Sequence, residues 1–171
     1  MSKNTLSLLC MLAALAPAAQ AIAADVKPVV ENKVEIAFEP ADLGQTTYQG
    51  WIHDRMQINI EKRLLQLDLD MLLDPFLNRP GSQWWVGEHI GKYLHAATYA
   101  WLFTGDERLR QRMDYAVTTL LEAQLPNGYL GTYEEDDRFA WGDGLGWDGP
   151  VWDVWVHKYN LIGLLTSYRA T

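Results

Sequence analysis

The chain has 171 residues, a length that suits one domain, and its 22 Asp and Glu against 14 Lys and Arg give a formal net charge of −8. No basic stripe is present to neutralise phosphates, so we expect no nucleic-acid partner. Half of the residues are hydrophobic (49%) and only one is a cysteine, Cys10.

The first 24 residues have the pattern of a secretory signal peptide. Lys3 supplies the positive charge, residues 6–16 form an apolar run, and small residues around Ala21 and Ala23 offer cleavage sites. The run is shorter than the roughly 20 residues that a spanning helix needs. We therefore expect cleavage, a periplasmic or secreted location, no membrane attachment afterwards, and a mature chain without Cys10 and hence without disulfides.

Residues 25–50 predict an extended N-terminal arm or a short strand. Val34, Ile36 and Phe38 alternate with polar residues, and alternation is typical of a strand. From Trp51 onward the apolar spacing becomes helical, which makes residues 51–171 the main domain. The predicted buried face of the first helix consists of Met56, Ile60, Leu64 and Leu67. We expect Asp74-Pro75 and Arg79-Pro80-Gly81 to interrupt it.

Two amphipathic helices come next. The first is predicted over residues 88–103, with Gly105 as its C-terminal stop. Asp106 or Thr104 then caps a second helix, which runs to the turn at residues 126–128. This pair is a helical hairpin.

A last helix, predicted over residues 150–170 with Asp148 as its cap, is apolar nearly all round. Such a helix must be surrounded by protein. Inner buried helices that alternate with outer amphipathic ones are typical of a barrel of helical hairpins. The sequence thus predicts an all-α fold, the first helices of an incomplete (α/α)6 barrel.

The functional signal lies in the aromatic residues of the loops. Five of the eight Trp lie in or beside Gly- and Asp-rich loops at helix starts. Among them, residues 141–150 combine Trp141, Asp143 and Trp147 with four glycines. Aromatic rings beside carboxylates suit sugars, because the rings stack on C–H faces and the acids bind hydroxyls. The alternative is a tight connection in which these Trp only pack.

Asp153 and His157 complete the predicted substrate-binding set. They are four residues apart, so they share one helix face, where the pair could contact a substrate hydroxyl. The alternative is a His satisfied within the core. The four His residues form no metal-binding spacing and the mature chain lacks a Cys pair, so we expect no metal site here.

Four segments, in this order and spacing, resemble the N-terminal part of the catalytic domain of glycoside hydrolase family 127, the β-L-arabinofuranosidase family. They are WWVGEHIGKYLHAA, FTGDERL, QLPNGYLGTY and WDVWVHKYNLIGLLTSYRAT, and the resemblance covers about residues 34–171. It implies an (α/α)6 barrel, a retaining glycosidase, and a carbohydrate partner, with plant-type arabinose-containing glycans as the expected class.

The same resemblance implies a Cys nucleophile in a zinc site of three Cys and one Glu, with a further Glu as acid/base. These elements would lie beyond Thr171, so the catalytic residues are unknown. We expect no cofactor in this chain, zinc being possible in a full-length relative, and we expect the chain alone to be inactive.

Two other classes stay open at this point. Another (α/α)6 glycoside hydrolase or lyase would use paired carboxylates and have similar loops. A non-catalytic carbohydrate-binding or scaffold protein would have to bury the apolar last helix within these residues.

Overall fold

The computed structural model describes residues 33–34, 46–142, 149 and 151–171. In this part of the chain the regular structure is helical and contains no strand, so the predicted all-α class is confirmed. The α-helices are α1 (Trp51–Asn59), α2 (Leu69–Leu77), α3 (Glu88–Thr104), α4 (Glu107–Ala123) and α5 (Asp153–Ala170), with a π-helical turn at Ile60–Leu64 and a 3-10 turn at Glu135–Asp137.

The predicted signal peptide lies outside the described residues, and so does most of the predicted arm. Lys33 and Val34 form a bend, and residues 46–50 are neither helix nor strand. Ile36 and Phe38 are not described, so the predicted alternation stays a prediction.

The first helical segment differs from its prediction at Pro75. The interruption predicted at Asp74-Pro75 is wrong, because Pro75 lies inside α2, and the helical path breaks earlier, between the π-helical turn and α2. The interruption predicted at residues 79–81 is confirmed, since α2 ends at Leu77. Asp68 caps α2 by accepting a hydrogen bond from the Met71 N–H at 3.1 Å. Leu73 and Phe76 are fully buried, and this burial outweighs the hydrogen bond that a proline removes from a helix.

The hairpin of α3 and α4 has the predicted bounds within about two residues: α3 ends at Thr104, and α4 ends at Ala123, shortly before the turn at residues 126–128. Gly105 takes the left-handed conformation (φ 67°) directly after α3, which a residue with a Cβ would adopt only under strain. Asp106 caps α4, and its carboxylate accepts the Arg108 N–H at 2.9 Å. Both signals act locally, which is why the sequence was sufficient to predict them.

Helices α3 and α5 lie side by side and run parallel. Near their starts the Glu88 carboxylate accepts the indole N–H of Trp155. Further along, His95 Nδ1 lies 2.9 Å from Thr166 Oγ1. The two helices therefore begin at the same end of the domain.

The segment of α1 and α2 runs alongside α4. Arg108 Nη2 lies 2.6 Å from Glu61 Oε1, and the Tyr115 hydroxyl donates to Asp70 at 2.5 Å. Helix α2 contacts both α4 and α3, and α4 is antiparallel to α3 within the hairpin. Helices α2 and α4 therefore form a second layer against α3. With α3 and α5 as parallel inner helices and α2 and α4 as outer helices antiparallel to α3, the arrangement is the one expected of neighbouring hairpins in an (α/α)6 barrel.

Two glycines bring α3 and α5 into backbone contact. A Cβ on Gly91 would overlap the backbone of Tyr159 and Asn160, and a Cβ on Gly163 would overlap the backbone of Gly91. A backbone neighbour cannot rotate out of the way as a side chain can. The close approach therefore depends on the absence of a side chain at both positions.

Helix α5 begins later than predicted and its faces differ in character. It starts at Asp153, and its cap position is Trp152, which makes no side-chain cap, rather than Asp148. Its buried face consists mainly of small or polar residues, namely Asp153, Val156, Asn160, Gly163, Ser167 and Ala170. Its large apolar residues Val154, Leu161, Leu165 and Tyr168 are more than half exposed. The expectation that protein surrounds this helix is thus not met within the described residues.

None of the helices in the described ranges has the length and apolar character needed to cross a membrane.

Gly91→Ala should lower the free energy of unfolding by about 2 kcal/mol or more, because the new methyl group overlaps a backbone that cannot move alone. Gly105→Ala is the matched control: its Cβ would meet open space, so it should cost only about 1 kcal/mol from the left-handed conformation. Urea denaturation followed by circular dichroism measures both. A Gly91→Ala chain as stable as the wild type would contradict the close packing of α3 on α5.

Candidate sugar-binding site

The loop that carries Trp141 is closed at its base, directly before α5. The Gly142 N–H donates to the Gly149 carbonyl at 2.6 Å, and the Val151 N–H donates to the Ala140 carbonyl at 3.1 Å. Trp141, at the start of the loop, is 73% exposed. The other two predicted loop residues, Asp143 and Trp147, lie outside the described residues. The loop therefore begins and ends at the N-terminal end of α5.

Asp153, the first residue of α5, is completely buried. Its carboxylate accepts hydrogen bonds from the Tyr129 hydroxyl at 2.9 and 3.1 Å and from the Phe139 N–H at 3.2 Å. Burial raises the pKa of Asp153 above its ordinary value, although these hydrogen bonds act in the opposite direction. Asp153 thus lies behind the surface and connects three chain segments.

His157 lies one turn later and uses both ring nitrogens within the protein. Nε2 accepts the Leu130 N–H at 3.1 Å, so in this tautomer Nδ1 carries the proton and donates to the Asp153 carbonyl at 2.8 Å. The ring packs between Tyr129 and Phe139, with centroid distances of 5.0 and 5.5 Å. Its side chain is 22% exposed. Contact between His157 and a sugar stays a prediction, and it would require one of these hydrogen bonds to be exchanged.

Tyr129 connects these groups, and the sequence did not single it out. Its hydroxyl donates to Asp153 and accepts the Tyr133 N–H at 3.1 Å. The Tyr133 hydroxyl donates to the Trp84 carbonyl at 2.7 Å and accepts the Trp152 N–H at 3.2 Å. The turn from Tyr129 to Tyr133 is thereby attached to the starts of both inner helices.

The chemistry of Tyr129 suits this role. Burial, with Asp153 close by, raises the pKa of the Tyr129 hydroxyl, although the Tyr133 N–H bond acts in the opposite direction. The hydroxyl therefore stays protonated and remains a donor. The Arg138 guanidinium lies 4.3 Å from the centre of the Tyr129 ring, where a cation is attracted to the ring face.

A second group, around Glu88, was also missed as a site. The buried Glu88 carboxylate contacts Lys92 Nζ at 2.6 Å and accepts the indole N–H of Trp155. Burial alone would raise the pKa of Glu88. The hydrogen bonds with Lys92 and Trp155 lower it by more than burial raises it, so the pKa of Glu88 lies below its ordinary value. The signal in the sequence was weak, because residues 88 and 155 are 67 positions apart.

The zinc site implied by the resemblance does not fit the residues described. That site needs three Cys and one Glu, but the one cysteine of the sequence, Cys10, lies outside the described ranges. Within those ranges no group of three or more His, Cys, Asp or Glu side chains is placed to hold a metal ion.

The helical hairpins are consistent with an incomplete all-α toroid. The sequence matches the family model of the β-L-arabinofuranosidase GH127 catalytic domain over residues 30–171. This match covers most of the chain, so the chain belongs to glycoside hydrolase family 127. The family implies a carbohydrate substrate. No curated protein and no solved structure matches the chain significantly.

Asp153→Asn should change how stability depends on pH. With its raised pKa, Asp153 binds a proton more tightly in the folded than in the unfolded chain. Its contribution to stability is therefore present below about pH 4 and is lost as the pH rises through the raised pKa. Compared with Asp153→Asn, the wild type should lose free energy of unfolding over that interval.

Urea titrations at several pH values measure this difference, and Asp114→Asn, at an exposed ion pair with Arg110, controls for the loss of one negative charge. If the wild type and Asp153→Asn have parallel pH profiles, Asp153 does not ionise in a buried environment.

Proposed function

We propose that this chain forms the sugar-recognising part of a secreted or periplasmic glycoside hydrolase that acts on plant-type, arabinose-containing glycans. Family membership supports the carbohydrate class. The observation that carries the location is the loop of Trp141, closed by hydrogen bonds at the start of α5. Its exposed indole lies at the same end of the domain as the starts of both inner helices.

The site combines exposed aromatic rings with buried polar groups that hold the loop in place. Trp141 and Phe139 are 73% and 60% exposed, and such rings can cover the C–H face of a sugar. Behind them, the bonds of Asp153 with Tyr129 and Phe139 hold the loop to α5. Aromatic rings held in this way lose little conformational entropy when they bind a ligand. Asp143 and Trp147 would add a carboxylate and a second indole to this aromatic surface.

We further propose that this chain supplies binding and not the catalytic groups. The two buried carboxylates at the site already have structural partners. Glu88 is engaged by Lys92 and Trp155, and Asp153 lies fully buried beneath Tyr129. A carboxylate pair for acid/base work would need access to a glycosidic oxygen. This observation favours a catalytic nucleophile outside the described residues over a pair of catalytic carboxylates within them.

Trp141→Ala should weaken binding of a soluble arabinan oligosaccharide about tenfold, because one stacked ring contributes on the order of 1 kcal/mol. Trp51→Ala is the matched control, since Trp51 is equally exposed (71%) but lies on α1. Isothermal titration calorimetry gives both affinities. Absence of binding by the wild type would refute a carbohydrate-recognising role, and equal affinities of the two variants would refute its location at this loop.

The purified chain should not hydrolyse 4-nitrophenyl β-L-arabinofuranoside above the uncatalysed rate, since the described residues hold no activated nucleophile. Release of nitrophenol, followed by absorbance, is the measurement. Turnover that is abolished in Glu88→Gln or Asp153→Asn would show that these carboxylates are catalytic and that the proposed division of roles is wrong.

A further inference from the structure

An open groove lies between α2 and α4, in the outer layer of the fold. It has a volume of about 500 Å³ and is lined by α2, by residues 80–82 and by Tyr115 of α4. A smaller depression of about 410 Å³ adjoins it and shares Asp68, Asp70 and Tyr115. We call the larger one the outer groove. Its volume lies within the roughly 300–1,000 Å³ that is usual for small-molecule sites, and its lining contains no residue of the proposed sugar site.

Tyr115 brings an exposed aromatic ring to the outer groove. The side chain is 48% exposed, and its hydroxyl donates to Asp70, which fixes the position of the ring. Among the described residues, neither a cation nor a second aromatic ring contacts the Tyr115 ring. Part of the ring is therefore open to a ligand, and the C–H face of a sugar can stack on it.

Three carboxylates line the same groove along α2, namely those of Asp68, Asp70 and Asp74. All three are exposed, and each accepts one hydrogen bond at Oδ1. The donors are the Met71 N–H, the Tyr115 hydroxyl and the Asn78 side-chain amide. In the described part of the chain no hydrogen bond uses the second oxygen, Oδ2, of these carboxylates. Each carboxylate is thus held in one orientation and keeps an oxygen that can accept from a ligand hydroxyl.

The remaining lining is apolar. Leu73 and Pro75 are buried beneath the groove, and Leu77 and Pro80 lie at its surface. Apolar surface with an aromatic ring and a few oriented acceptors suits a molecule that combines C–H faces with several hydroxyl donors. A metal ion would need ligands that converge on one point, and the described residues contain no such group of His, Cys, Asp or Glu side chains.

We propose that the outer groove binds a sugar unit of a glycan, at a surface separate from the starts of α3 and α5. The C–H face of the sugar stacks on the Tyr115 ring, and its hydroxyls donate to the free oxygens of Asp70 and Asp74, which share one face of α2. The chain then contacts a glycan at two separate places. This inference rests on the carbohydrate class that the family implies, and it does not depend on the loop of Trp141.

Isothermal titration calorimetry with an arabinan oligosaccharide tests the proposal. The wild type should bind two equivalents of a short oligosaccharide, one at the loop of Trp141 and one in the outer groove. Tyr115→Ala should weaken the groove equivalent about tenfold and leave the other unchanged. Tyr99→Ala is the matched control, because Tyr99 is equally exposed (46%) but lies on α3 and outside the groove. Its loss should change neither equivalent.

The Trp141→Ala background isolates the outer groove. Binding that remains in Trp141→Ala should be lost when Tyr115→Ala is added. Tyr115→Phe keeps the ring and removes the bond to Asp70, so in this background it should bind with an affinity between those of the tyrosine and alanine chains. Circular dichroism verifies that each variant is folded. In Trp141→Ala with the native Tyr115, the oligosaccharide should also slow hydrogen–deuterium exchange in α2.

A basic peptide is the competing ligand, since the groove carries three negative charges. Octalysine is the probe for it. Binding of a neutral sugar should change little when the salt concentration is raised, whereas binding of octalysine should weaken steeply. If octalysine binds in a way that depends on Tyr115 and the oligosaccharide does not bind there, the proposed sugar site in the groove is wrong.

The outcomes separate this inference from the proposed function. One equivalent that is weakened by Trp141→Ala and unchanged by Tyr115→Ala would overturn the groove site and leave the proposed function in place. One equivalent with the opposite behaviour would support the groove site and refute the location at the loop. No binding by the wild type would refute both. If Tyr115→Ala fails to fold, unchanged exchange of α2 in Trp141→Ala would overturn the groove site.

Discussion

The close approach of α3 and α5 through Gly91 and Gly163 is the constraint on which the rest of the structure depends. With backbone against backbone, the two helices run parallel and begin at the same end. A side chain at either glycine would separate them, since the atoms that it would meet are backbone atoms. Separation by an ångström or two would break the hydrogen bond between Glu88 and Trp155. The glycines therefore determine which side chains meet at the helix starts.

The polar groups at that end then hold the intervening chain. Burying a carboxylate such as Asp153 is costly unless its oxygens are hydrogen-bonded. Here the cost is offset by the Tyr129 hydroxyl and the Phe139 N–H. These donors belong to the segment between α4 and α5, so the same bonds that stabilise Asp153 fix that segment on α5. The helix pair thus provides the scaffold and the buried network positions the loop.

The sequence predicted the features that depend on local signals. Gly105 in the left-handed conformation and Asp106 as a cap fixed the corner between α3 and α4, and apolar spacing identified the helices. The prediction at Pro75 was wrong because it weighed a local cost without the tertiary burial of Leu73 and Phe76. The start of α5 was predicted three residues early, because the Gly- and Asp-rich sequence offered a cap that the structure does not use.

The contacts of the candidate site were harder to predict, for a physical reason. Spacing placed Asp153 and His157 on one helix face, but it could not tell whether that face is open or covered. The structure covers Asp153 with Tyr129, 24 positions away, and joins Glu88 to Trp155 across 67 positions. Local periodicity carries no information on such pairs. The even distribution of apolar residues around α5 was equally uninformative about which face packs on α3, since small residues decide that contact.

Sugar binding at the common N-terminal end of α3 and α5 can be measured by hydrogen–deuterium exchange of the chain, with and without an arabinan oligosaccharide. We expect the oligosaccharide to slow exchange in residues 84–92 and 129–142 and at the start of α5, and to leave the C-terminal turns of α3 and α5 unchanged. Slower exchange at those C-terminal turns, with none at the helix starts, would contradict it.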